Sequence, residues 1–81
     1  MMNNKVAISY YDEVFYKDGY VLVNELYEDS EGFYKNHWQW GEQEGEFLVN
    51  PKVLDGLSSN SYADFSEALK VFSQKIEKNS K

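Results

Sequence analysis

The stretch FYKNHWQWGEQEGEF, residues 33–47, sets two tryptophans one residue apart and follows them with three glutamates in five positions. Side chains of an extended segment alternate between faces, so Trp38 and Trp40 share one face of any sheet they join. A slip of one residue in pairing moves both to the other face. The register of this stretch therefore decides which side of the domain carries its largest apolar groups.

Working outward, residues 5–49 are rich in aromatic and β-branched types and are cut by short turn signals. Asp18-Gly19 within YKDGY is a hairpin cue, and EDSEG (28–32) and GEQEG (41–45) are the next breaks. The pattern predicts a four-stranded antiparallel meander with strands near 5–16, 20–28, 33–40 and 46–49. The first strand is long enough to break at Asp12 and Glu13. Asn50-Pro51 disfavours a central strand, so KVLDGLSSN (52–60) reads as a loop. Beyond it Tyr62, Phe65, Leu69, Phe72 and Ile76 recur at helical spacing and predict a helix over 62–78. Ser61 and Asp64 resemble a capping box, and Glu67 and Lys78 suit the helix dipole. The expectation is one α+β domain spanning residues 1–81, in the order ββββα.

With those turns as centres, one sheet face collects Val6, Ile8, Tyr10, Val14, Tyr16, Tyr20, Leu22, Leu26, Phe33, Phe47 and Val49. The other collects Tyr11, Phe15, Val21, Val23, Tyr27, Tyr34, Trp38, Trp40 and Leu48. A single helix covers one face, and the more aliphatic face is its expected seat. The tryptophans would then lie opposite the helix, with Glu13, Glu25 and Glu46 beside them, in a composition enriched at protein interfaces. The alternative is that residues 50–60, through Val53, Leu54 and Leu57, fold over the aromatic side and make it core.

Charge is unevenly placed. Residues 12–46 hold ten carboxylates against two lysines, a net of −8, while the remainder holds six lysines against four carboxylates; the sum is the formal charge of −6. Arginine is absent, which removes the side chain best suited to phosphate and guanine, so direct nucleic-acid binding is not expected. No cysteine is present, so there is neither a disulfide framework nor a thiolate metal site. No apolar run approaches the ~20 residues of a membrane helix and MMNNK does not read as a signal peptide, so a soluble cytoplasmic protein without membrane contact is expected.

Residues for catalysis are sparse. His37 is the sole histidine, no serine sits in a nucleophile-elbow context, and neither an EF-hand nor a Gly-rich phosphate loop occurs. Glu13 and Glu25 are the least implausible acids for a two-carboxylate mechanism. No cofactor, metal or catalytic residue is expected. Glu42, Glu44 and Glu46 alternate, at about 6.6 Å steps if extended, a spacing of the order of that between phosphates. Asp18 joins them at one end of a meander, and Glu28, Asp29 and Glu31 gather at the other.

In size, acidity and lack of catalytic residues the chain resembles the small inhibitor proteins of phages and mobile elements, such as anti-restriction and anti-CRISPR proteins, and bacterial immunity proteins. The resemblance lies in these global properties and carries no motif. It implies a non-enzymatic inhibitor that mimics nucleic acid and acts in the cytoplasm of a host. The expected partner is a basic, nucleic-acid-handling protein. The expected anchors are Trp38, Trp40, Tyr34, Tyr27 and Phe15, steered by Glu42, Glu44, Glu46, Glu28 and Asp29. The alternatives are a homodimer whose aromatic faces pair, and a small sugar- or ligand-binding domain or enzyme.

Overall fold

The computed structural model describes residues 4–57 and 65–79. Five antiparallel strands, not four, form one sheet: β1 (Lys5–Ala7), β2 (Glu13–Lys17), β3 (Tyr20–Glu28), β4 (Tyr34–Glu44) and β5 (Phe47–Val53), with a single helix α1 (Phe65–Asn79). The order across the sheet is β1-β5-β4-β3-β2. The expected helix start at Tyr62 and the Ser61–Asp64 cap lie outside the described residues.

The additional strand comes from the break in the first one. Residues 5–7 pair with β5 at one edge, the chain turns through a 3₁₀ segment (Ile8–Tyr10), and residues 13–17 pair with β3 at the opposite edge. Five strands laid flat would separate their edges by roughly 19 Å. The short link, partly wound at about 2 Å per residue, spans only roughly 16 Å, so the sheet must curl. The crossing lies on the face away from the helix, where Ile8 and Tyr11 pack with Val14, Val21, Val23 and Leu48. Both sheet faces are thus covered, one by a helix and one by this crossing.

The hairpin turns set the register. Lys17 pairs with Tyr20 across a two-residue turn in which Asp18 (φ 53°) and Gly19 (φ 83°) are both left-handed, the conformation that favours Asp-Gly. Glu44 pairs with Phe47 across Gly45-Glu46, and Glu28 with Tyr34 across a five-residue loop. These loop lengths flip β2 and β4 relative to the sequence expectation. Phe15, Tyr34, Trp38 and Trp40 therefore join Tyr20, Leu22, Leu26, Phe47 and Val49 on the helix face. Val14 and Tyr16 turn away from it.

Under α1 the sheet presents two cross-strand rows, Phe15–Leu22–Trp40–Lys52 and Glu13–Asn24–Trp38, the latter flanked by Leu54. Phe72, fully buried, meets the rings of Trp40 and Phe15 edge-on at 6.3 and 6.4 Å, and Phe65 lies 5.9 Å from Trp38. Leu54 is buried in this cluster and Leu57 packs at its margin, so part of the 50–60 segment does fold on the aromatic side. Val53 does not; it is exposed.

Strand β5 also continues past Pro51, where the sequence pattern predicts an end. A bulge makes this possible: Trp40 faces Lys52 and Glu42 faces Val49, leaving an extra residue on β5, with Asn50 left-handed at φ 50°. β1 pairs only with residues 47–49, so proline's missing N–H falls beyond that ladder. Gly41 sits opposite the bulge with so little room that a Cβ would lie 2.7 Å from the Val49 carbonyl oxygen and 2.9 Å from Leu48. We expect Gly41→Ala to destabilise the fold by about 1–3 kcal/mol in urea unfolding. Unchanged stability would mean that the β4–β5 contact is looser than this geometry.

Candidate functional site

The expected anchors do not form one open surface. Trp38 and Trp40 are only 5% and 6% exposed, beneath the helix rather than opposite it, and Phe15 is partly buried between Phe65 and Phe72. The correction follows from the flipped strands: indole rings on the helix face are the material that one helix can bury. Tyr34 and Tyr27 remain exposed, but on opposite faces of β3–β4. Tryptophan emission of the folded protein is expected to be blue-shifted and poorly quenched by iodide. Red, readily quenched emission would contradict this burial.

The acidic row is divided as well. Glu42 and Glu44 share the helix side of β4, whereas Glu46 sits in the turn, and Glu44 pairs with Lys5. Asp18 lies at the same end, where Gly19 accepts a hydrogen bond from the Gln43 amide. Lys17 and Lys52 also occupy this end, so its charge is mixed.

The other end of the sheet is different. β3 and β4 run on beyond the start of α1 as an arm, and the molecule measures 38 × 24 × 22 Å. The reason is length: an 11-residue strand spans roughly 36 Å, a 15-residue helix roughly 22 Å. On the arm Leu26 and Tyr34 (56% exposed) stand open on the helix side and Tyr27 on the reverse, while Phe33 (61% exposed) stands open in the loop that joins the two strands. Leu26 and Phe33 were expected in the core. The comparison of strand and helix lengths is the signal that marks them as uncovered.

Four carboxylates, Glu25, Glu28, Asp29 and Glu31, accompany these side chains against one cation, Lys35. Asp29 is committed to its own loop: Oδ1 accepts the amides of Glu31 and Phe33, each at 2.9 Å, and Oδ2 faces Lys35 at 3.3 Å. The Phe33 amide above all holds its carboxyl below the usual aspartate range, with Glu31 and Lys35 adding to the effect against some desolvation. Asp29 is therefore a brace for the arm, and Glu28 and Glu31 have no cationic partner among the described residues. The stability it supplies is complete above the ordinary aspartate value and is lost as pH falls through its own depressed value. NMR of the Phe33 and Glu31 amides should show a titration midpoint below that of a free aspartate; one at or above it would remove the bracing role.

At the base of the arm, on the helix side, opens a cleft of about 660 Å³. Asp12 and Glu13 form one wall, Asn24 and Leu26 of β3 and Asn36 of β4 the floor, and Trp38 and Phe65 the far side. Asp12 accepts the Leu26 amide at 3.0 Å, and Glu13 has no cationic partner among the described residues. Asn24 is 95% buried, yet its Oδ1 receives no hydrogen bond. Such an unsatisfied acceptor costs about 1–3 kcal/mol.

The reverse side of the arm holds a small polar group. Tyr10 donates to Glu25 at 2.7 Å, which raises its phenol pKa, and His37 Nδ1 lies 3.9 Å from the same carboxylate. Tyr11 donates to Gln39 at 2.8 Å, and burial pushes its phenol up. His37 is thus a partly exposed neighbour of Glu25 and Tyr27. Among the described residues no group of three histidines, cysteines or carboxylates is arranged to hold a metal ion. No described helix is long and apolar enough to cross a membrane.

Comparison of the chain with models of known protein families, with curated proteins and with solved structures finds no match.

Proposed function

We propose that this chain is a non-enzymatic binding module that blocks a basic, nucleic-acid-handling protein, and that it does so with the β3–β4 arm rather than with its tryptophans. One observation carries the reading. The arm exposes Leu26, Phe33 and Tyr34 beside Glu28 and Glu31, with Lys35 as its only cation and that lysine held by Asp29. Exposed apolar side chains beside uncompensated acid suit a partner that is positively charged and offers apolar pockets. Binding would draw affinity from the rings and association rate from the carboxylates.

The same patch could pair with a second copy, but that would bring two acidic arms together, and like charges oppose it. The inhibitor class resembled by the overall composition agrees with this reading, in that such proteins need an adhesive charged surface and no active site.

The test immobilises the chain and challenges it with the basic proteins that a heparin column retains from a cell extract. Capture of a partner is expected to be competed by nucleic acid and to weaken about 30-fold or more in Phe33→Ser/Tyr34→Ser. Glu28→Lys/Glu31→Lys should chiefly slow association and flatten its salt dependence. Tyr16→Ser, at an exposed tyrosine away from the arm, is the control. Capture unaffected by the arm variants, or a dimeric mass at micromolar protein in light scattering, would overturn the reading.

A further inference from the structure

The cleft at the base of the arm has a chemistry of its own. Its wall carries two carboxylates, its floor two side-chain amides and its far side two aromatic rings, and among the described residues no cation lines it. Asn24, whose side-chain carbonyl is buried and without a donor, is one of the residues of that floor. A domain that leaves a buried acceptor unmatched beside an open cleft has a place for a donor from outside. Resting on the binding reading above, we infer that this cleft receives an arginine side chain of the basic partner.

Three features select arginine. Side chains that carry acceptor oxygens come from several directions: the carboxylates of Asp12 and Glu13 from one strand end, the amides of Asn24 and Asn36 from the next two strands. A guanidinium offers five donors in a fixed plane, whereas an ammonium concentrates three at one point. The ring of Phe65, 42% exposed, stands over Trp38 at 5.9 Å and gives the flat cation an aromatic surface to stack on. The apolar stem of arginine would lie along Leu26, itself half-exposed on the arm side of the cleft floor. A divalent cation would require six or more oxygens closely grouped, and two carboxylates facing two aromatic rings across the cleft do not provide them.

The position also suits a partner lying along the arm. On the helix face the cross-strand pairs run outward from Asn24–Trp38 through Leu26–Asn36 to Glu28–Tyr34. The cleft is the inner end of the same strip whose outer end holds Tyr34, with Phe33 in the loop beyond it. An extended basic segment can place an arginine in the cleft while its neighbours meet the exposed rings.

The probe is Nα-acetyl-arginine amide, titrated into the full chain up to tens of millimolar and followed by ¹⁵N NMR. Saturable shifts are expected for the side-chain amides of Asn24 and Asn36 and for the Trp38 indole N–H. The citrulline analogue, equal in shape and uncharged, should bind at least about tenfold more weakly. Asp12→Asn/Glu13→Gln keeps acceptors for the Leu26 amide and should lose the response to about the same extent, with the remaining spectrum unchanged. Equal shifts with citrulline, the same shifts from millimolar calcium chloride, or no response at all would overturn the assignment. Phe33→Ser/Tyr34→Ser should keep the arginine response in full. Loss of capture in that variant without any arginine response in the parent sinks this inference alone. An arginine response with capture indifferent to the arm sinks the binding reading instead.

Discussion

The contact between α1 and the two aromatic rows of the sheet supports the rest of the molecule. Phe72 reaches Trp40 and Phe15, Phe65 reaches Trp38, and Leu22, Leu54, Ala68 and Ile76 close the space between them. So short a chain has no disulfide to assist it, so this packing has to be dense. Large rings suit that need because each buries much area for few torsions. One helix is enough for one face only. The opposite face is then left to the five-residue crossing between β1 and β2, and the sheet curls because that link is short.

The same limit creates the arm. A helix shorter than the strands beneath it leaves their far ends uncovered, and the chain does not retract those ends. It braces them, with Asp29 holding the loop through two backbone amides and Lys35. The carboxylates that look alike in sequence thus divide by role. Asp29 is structural, Glu44 is paired with Lys5, and Glu28 and Glu31, without a cationic partner among the described residues, stand beside exposed rings. Burial of the tryptophans and exposure of Phe33 and Tyr34 are two outcomes of one arrangement.

Much of the fold is legible in the residues. The helix follows from the spacing of Phe65, Leu69, Phe72 and Ile76, and the hairpin at Asp18-Gly19 from one of the few residue pairs that tolerate two left-handed positions in succession. What is not legible is parity. Asp18-Gly19 read as a two-residue turn places Lys17 opposite Tyr20, but the breaks at 28–32 and 41–45 carry no such fixed length, and their lengths decide which face of β4 meets the helix. Continuation of β5 through Pro51 is equally hidden, because a bulge opposite Gly41 and the end of the β1 ladder make it acceptable, and both are contacts between distant residues. The exposed half of the candidate site, Tyr34 and Tyr27, was reachable from composition; Leu26, Phe33 and the Asn24 cleft were not.

By itself, then, the sequence determined the class of the domain, its helix, its first two turns, the acid-rich half and the absence of thiol chemistry, because each of these is encoded in near neighbours or in totals; the third turn falls at Gly45-Glu46, since β4 runs through most of the expected break. Only the tertiary structure decided which face the tryptophans occupy, that the first strand divides between opposite edges, and which carboxylates stay free. Those outcomes depend on register and on the relative lengths of packed elements. Energy there is shared between residues far apart in the chain, and no single stretch carries it.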